Sequence, residues 1–117
     1  MCAALATLSP RPPARVHDLD RLRIERALPS RARYRYVQPA VTAAEEGGWL
    51  ISSPCCSRNI DPNGGVIAIA WLEPHDGVWT LYARDHVHDS WTVHHESRHL
   101  QELLDEVCTD PMRVFWP

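Results

Sequence analysis

The sequence contains no lysine: all 12 basic residues among its 117 positions are arginine. This absence excludes Schiff-base catalysis by lysine and the lysine of a phosphate-binding loop. Only 5 glycines are present, and they form none of the motifs of dinucleotide sites, P-loops or nucleophile elbows. Nucleotide-dependent and serine-hydrolase chemistry therefore have no motif here, and the sequence favours a non-enzymatic protein.

Long apolar segments are also absent. No stretch reaches the roughly 18 apolar residues of a membrane-spanning helix, and Met1–Leu8 has neither the charge nor the apolar length of an export signal. The 4 cysteines are therefore expected to be reduced thiols. We predict a cytoplasmic protein with no membrane partner.

The N-terminal region divides into a lead and a helix. Residues 1–14 contain several prolines and predict a disordered lead, and residues 15–117 predict a single domain. Asp18–Leu28 predicts a helix, with Asp18 as its N-cap and Pro29 at its end.

Five strands are expected after this helix. Val66–Glu73 is apolar at both alternating sets of positions, which indicates a central strand covered on part of both faces. The mostly short connections favour an antiparallel meander. The predicted strands are Arg33–Thr42, Trp49–Ser53, Val66–Glu73, Val78–Asp85 and Trp91–His95.

The last helix has the clearest periodicity. Ser97 is a candidate cap, and Asp110-Pro111 ends the helix. Its apolar stripe consists of Leu100, Leu103, Leu104, Val107 and Cys108. The tail that contains Phe115 and Trp116 is expected to dock on the sheet. The order α-β-β-β-β-β-α predicts an α+β fold, a five-stranded antiparallel meander sheet flanked by an N-terminal and a C-terminal helix.

The second half of the chain contains a distinctive set of motifs: a W-x-L-Y hairpin at Trp79–Tyr82, Asp85, Trp91, a leucine-rich helix after Ser97, and a D-P-x-x-x-F-W ending at Asp110–Trp116. In these motifs the chain resembles a family of short bacterial proteins known only as a domain of unknown function. Ser53–Asn59 and His94-His95 depart from the family pattern. The resemblance implies the fold and carries no activity or cofactor.

The pattern of apolar residues predicts that both faces of the sheet are apolar. A four-residue loop at 74–77 would pair Leu72 with Trp79 and set Trp79, Leu81 and Ala83 beside Leu72, Ala70 and Ala68. The opposite face would then present Ile67, Ile69, Trp71, Tyr82 and Trp91, with Val93. Because two short helices do not cover two faces, this aromatic face predicts a surface for a protein partner or for self-association.

A histidine cluster suggests an alternative function. The cluster comprises His86, His88, His94, His95 and His99. A hairpin that pairs Trp91 with Arg84, or with His88 in a tighter register, would put His86, His88 and His95 on one face. Three histidines and a water are typical of catalytic zinc, with Glu96 or Asp89 as a base for hydrolysis. The other interpretation is a solvated polar hairpin without a cofactor.

Arginines alternate with tyrosines at residues 31–36. The net charge is −3, but residues 1–58 carry +4 and residues 59–117 carry −7. Arg31, Arg33 and Arg35 could contact the phosphates of a nucleic acid. In a strand, however, these arginines share one face while Tyr34 and Tyr36 lie on the other. Nucleic-acid binding is therefore a weaker alternative than a protein partner.

Adjacent cysteines form the last candidate site. Cys55 and Cys56 point apart on an extended backbone, which makes them poor ligands for one zinc ion. Arg58 could lower a thiol pKa and create a reactive cysteine. The alternative is one cysteine packed inward and one near the loop surface.

Overall fold

The computed structural model describes residues 11–32, 38–54 and 65–116, with the backbone alone at 11–18. The helices in these residues are α1 (Arg11–Ala27) and α2 (Leu100–Thr109), and a 3-10 turn (Leu28–Ser30) follows α1. The strands are β1 (Ala40–Ala43), β2 (Trp49–Pro54), β3 (Val66–His75), β4 (Val78–Asp85) and β5 (Ser90–Ser97). The predicted α+β class and the helix–sheet–helix order are confirmed.

Helix α1 begins at Arg11 rather than at the predicted Asp18, so residues 11–14 of the expected lead are helical. Pro12 and Pro13 fall in its first turn, where backbone N–H groups have no helical acceptor and proline is tolerated. Residues 1–10 lie outside the described part of the chain, and the predicted lead stays a prediction there. Near its other end, the helix and the turn after it bury Ile24 and Leu28.

The sheet is an antiparallel meander in the order β1-β2-β3-β4-β5. A two-residue turn joins β3 to β4; Asp76 and Gly77 both have positive φ, 51° and 79°, as in hairpin turns of type I′. His75 therefore pairs with Val78, and the predicted pairing of Leu72 with Trp79 is wrong. The difference is two residues, so every side chain of β4 keeps its predicted face.

Two β-bulges interrupt the alternation of side chains. In β3, Ile51 pairs with Ala70 and Ser52 pairs with Ala68, which leaves Ile69 as the extra residue. In β5, Leu81 pairs with His95 while Tyr82 pairs with Val93, which makes His94 the extra residue. Each bulge adds one residue to its strand, so strict alternation predicts the wrong face for the side chains beyond it.

The hydrophobic core lies between one face of the sheet and the two helices. Helix α1 contributes Ile24, and α2 contributes its whole predicted stripe, which is buried. The sheet residues of this core are Val41, Trp49, Ile51, Ile69, Ala70, Leu72, Leu81 and Ala83. The helices of the described segments are too short or too polar to cross a membrane.

The chain after α2 docks back into the core, as predicted. Helix α2 ends at Thr109, and Asp110 follows in the left-handed conformation with φ 41°. The buried Asp110 carboxylate accepts hydrogen bonds from the backbone N–H groups of Val114, Phe115 and Trp116, at 2.8, 3.3 and 3.1 Å. The Trp116 indole N–H donates to the carbonyl of Val107 at 2.9 Å. Asp110 therefore holds the tail in place, and this part of the motif has a structural role.

Candidate functional site

The sheet face opposite the core, called the outer face from here on, carries residues in three rows across the strands. The central row runs Thr42, Leu50, Trp71, Tyr82 and Val93, from β1 to β5. On one side lies a row of Glu73, Thr80 and Glu96. On the other side Arg84 pairs with Trp91. In the described ranges both helices pack on the core face, so no helix shields these rows.

Three rings on the outer face, Trp71, Tyr82 and Trp91, form one aromatic cluster. Trp71 and Tyr82 stack with ring centroids 4.3 Å apart and an interplanar angle of 20°. Trp91 is tilted at 59° to Trp71, at 6.0 Å. The Trp71 indole N–H donates to the carbonyl of Gly47 at 2.8 Å, which fixes the ring. The cluster is half-buried, and beside it Val93 has 61% of its surface exposed.

The two sides of the cluster carry different charged groups. The Tyr82 hydroxyl donates to Glu73 at 3.0 Å, and the Thr80 hydroxyl donates to Glu96 at 3.3 Å. Desolvation, and then the hydrogen bond to Glu73, raise the pKa of Tyr82. On the other side the Arg84 guanidinium lies 5.0 Å from the centroid of the Trp91 ring and pairs with Asp89. The outer face is therefore acidic at one edge of the cluster and carries the ion pair of Arg84 and Asp89 at the other.

A depression of about 400 Å³ continues the outer face past Trp91. Residues that line it include Leu50, Ala68, Arg84, His86 and Asp89. Burial lowers the pKa of His86, and the charge of Arg84 adds to this effect. The lowered pKa favours the neutral form of the His86 ring beside the Arg84 guanidinium.

Of the five residues of the predicted partner surface, the structure places three on the outer face and two in or against the core. Trp71, Tyr82 and Trp91 share the outer face, as expected. Ile69 is fully buried in the core, and Ile67 packs against the core. The bulge at Ile69 is the reason, because it reverses the alternation between Ile67 and Trp71.

Sequence reasoning missed the polar residues that flank the cluster. Glu73 and Glu96 lie on either side of Thr80, two residues from Tyr82 along β4, and Arg84 lies two residues away in the other direction. The Asp76-Gly77 dipeptide is typical of a two-residue hairpin turn and could have predicted this placement. A two-residue turn there sets Glu73 opposite Thr80.

The predicted histidine set does not converge. Pairing of Arg84 with Trp91, one of the two predicted registers, is confirmed. His86 and His88 nevertheless lie in the turn between β4 and β5, while the bulge at His94 places the exposed His95 opposite Leu81, a core-face residue. His88 binds Asp85 at 2.8 Å. Among the side chains described, at residues 19–32, 38–54 and 65–116, no group of three or more His, Cys, Asp or Glu could hold a metal ion.

One residue of the predicted nucleic-acid site is buried. Arg31 has 4% of its surface exposed, donates to the carbonyl of Leu28 at 3.0 Å and lies 5.0 Å from the ring centroid of Trp116. Arg31 therefore belongs to the packing between the 3-10 turn and the tail, and does not face solvent as the prediction requires. Arg33 and Arg35 lie outside the described residues.

The predicted thiol site, Cys55 and Cys56, also lies outside the described residues. Cys108 is described: it is a free, buried thiol that donates to the carbonyl of Ala27 at 3.3 Å. Burial raises the pKa of this thiol, and the nearby Asp105 raises it further. Cys108 is a packing residue between the helices.

Comparisons with curated proteins and with solved structures find no match. A family model matches residues 11–117, which include both helices and all five strands described above. The expected resemblance to a domain of unknown function is thereby confirmed. The chain belongs to the family described as Domain of unknown function (DUF3024).

Proposed function

We propose that the protein is a non-enzymatic interaction module that binds a protein surface through the outer face of its sheet. One observation carries this proposal: three aromatic rings form a contiguous cluster on a sheet face that neither described helix covers. Contiguous apolar surface of this kind is typical of protein-binding sites, where tryptophan, tyrosine and arginine are enriched.

The arrangement of the rings supports a protein over a flat ligand. Side chains of a strand stand roughly perpendicular to the sheet. Trp71 and Tyr82 each use one ring face against the other, and Arg84 covers one face of Trp91. Such rings form ridges, which suit interdigitation with the side chains of another protein. A base-stacking platform needs ring faces that are open to solvent.

The charges on the outer face also favour a protein partner over a nucleic acid. Glu73 and Glu96 flank the aromatic cluster on one side, and Asp89 neutralises part of the charge of Arg84 on the other. Nucleic-acid binding depends on a positive surface that tracks the phosphates. A face with three carboxylates and one guanidinium is unsuited to phosphates and is suited to a polypeptide surface with complementary charges.

The test compares two exposed valines, one on the outer face and one outside it. Val93 lies in the central row next to Tyr82, and Val87 lies in the β4–β5 turn with 87% of its surface exposed. The full chain, its Val93→Glu variant and its Val87→Glu variant are immobilised and exposed to an extract of the source cells. We expect a protein, a second copy of this chain included, to be retained by wild type and Val87→Glu and lost with Val93→Glu.

Folding of both variants is checked by chemical unfolding, where exposed substitutions of this kind cost about 0.5 kcal/mol or less. Retention that is the same for all three proteins would show that the outer face does not bind, and would refute the proposal. Retention lost equally with Val87→Glu and Val93→Glu would refute it as well, because the turn lies outside the proposed surface.

A further inference from the structure

We infer that the partner of the outer face is a second copy of this chain, packed sheet against sheet about a two-fold axis that runs across the strands. This inference rests on the proposed function and names the occupant of the same surface. It follows from the order of the rows: the row with Arg84, the central aromatic row and the acidic row.

A two-fold axis between two facing sheets must lie in the plane of the interface. When the axis runs across the strands, along the central row, the row on one side of it meets the partner's row from the other side. Arg84 of one copy then faces the partner's Thr80, between the partner's Glu73 and Glu96. The same contact is repeated in reverse, so two guanidinium groups each meet two carboxylates.

The other in-plane orientation is unfavourable. An axis parallel to the strands would place the two acidic rows over each other, and an axis along β4 would also place Arg84 over the partner's Arg84. Like charges that face each other across an interface cost several kcal/mol. Charge therefore selects the axis across the strands.

The polar groups involved are held in position but retain capacity for further bonds. Arg84 pairs with Asp89 through one nitrogen, and a guanidinium has five N–H donors in total. Glu73 and Glu96 accept one hydrogen bond each from Tyr82 and Thr80, which leaves acceptor sites on each carboxylate. These contacts orient the groups before the copies meet.

The outer face has the area of a weak but specific interface. Five strands about 4.8 Å apart and three rows of side chains give a face of about 500 Å². Two copies would bury about 1,000 Å², which is the lower bound for a specific interface. An interface of this size is typical of weak, reversible complexes.

Sedimentation velocity of the full chain over roughly 1 µM to 1 mM measures the association. We expect wild type to dimerise. Arg84→Glu alone and the double variant Glu73→Arg/Glu96→Arg alone should each raise the dissociation constant at least about tenfold, since each creates like-charge contacts. An equimolar mixture of the two should dimerise again. In the mixed dimer, the carboxylate introduced at position 84 meets the two introduced guanidinium groups, and the Arg84 that the double variant keeps meets native carboxylates.

Each result of this experiment supports or refutes a stated part of the inference. A wild type that stays monomeric to the highest concentration overturns the second copy as occupant, while the retention test with Val93→Glu still judges the proposed function. A dimer that Arg84→Glu leaves unchanged, or a mixture without recovery, overturns the axis. Recovery of Arg84→Glu by wild type instead would mean that Arg84 faces Arg84. If a charge reversal prevents folding, Arg84→Gln replaces it, with a weaker dimer and a smaller salt dependence expected.

Discussion

Replacement of Asp110 by alanine should destabilise the protein severely without touching the outer face. Its carboxylate accepts the N–H groups of Val114, Phe115 and Trp116, and the last two residues are almost completely buried, at 2% and 3% exposure. Alanine leaves these two donors buried without an acceptor, which costs about 1–3 kcal/mol each. The positive φ of 41° at this position adds about 1 kcal/mol for alanine.

The expected loss is therefore about 3–7 kcal/mol, against a total stability of about 5–15 kcal/mol for a domain of this kind. Asp110→Asn is the matched control, because asparagine tolerates positive φ and keeps one acceptor oxygen; it should cost about 1–2 kcal/mol. Urea unfolding followed by tryptophan fluorescence measures both. If Asp110→Ala loses less than about 1 kcal/mol, the carboxylate does not hold the tail and the reasoning is wrong.

Three further perturbations have defined outcomes. A Cβ at Gly48 would lie 2.0 Å from the carbonyl oxygen of Leu72, so Gly48→Ala should destabilise by clearly more than Gly77→Ala, which has the same φ of 79° in open space and should cost about 1 kcal/mol. Hydrogen bonds, first of all that from the His88 ring, lower the pKa of Asp85 in the folded protein. The carboxylate therefore stabilises the fold above the unfolded pKa of about 3.9, and this contribution is lost as the pH falls through the lower folded pKa. The difference in unfolding free energy between wild type and Asp85→Asn should therefore shrink in acid. The raised pKa and the burial of Cys108 predict that its thiol resists alkylation at mildly alkaline pH until the protein unfolds. Peptide mass spectrometry measures the labelling, and rapid labelling of the folded protein would contradict this prediction.

Local signals were sufficient for the type and order of the elements, but not for every boundary: the first helix begins at Arg11 instead of Asp18, and Gln38 and Pro39 of the predicted strand Arg33–Thr42 lie outside β1. The apolar stripe of α2 repeats at helical spacing and is buried as predicted, and β4 has its predicted bounds, Val78–Asp85. The meander follows from short connections, since consecutive strands with tight turns pair with each other. These features depend on neighbours in sequence, which is why one sequence suffices to predict them.

The pairing register of β3 with β4 was harder to predict than the order of the strands. Pro74 suggested a loop, yet it lies in β3 beyond Leu72, the last residue of β3 paired with β2. The pair His75–Val78 next to a two-residue turn exchanges both hydrogen bonds, so the following pair, Pro74–Trp79, does not need the N–H that proline lacks.

The bulges were beyond the reach of the sequence pattern. Ile69 and His94 are ordinary strand residues in composition, and a bulge arises from the fit between two strands rather than from one residue type. The bulge at Ile69 moved two predicted surface residues into or against the core, and the bulge at His94 separated His95 from the other histidines. The extra residue in β3 therefore explains why Ile67 and Ile69 do not share the outer face with Trp71, and the extra residue in β5 explains why His95 does not join the predicted metal site.

The sequential order of the strands has a consequence for folding kinetics. Every strand pairs with its neighbour in the chain, so four hairpins can form by closing connections of 2 to 11 residues, at low entropic cost. The helices are different: the bond from the backbone N–H of Ala32 to the carbonyl of Cys108, at 2.8 Å, joins distant parts of the chain. We therefore expect the hairpins to form early and the union of α1 with α2 to limit the folding rate. Until that step, the sheet face that becomes part of the core remains exposed to water.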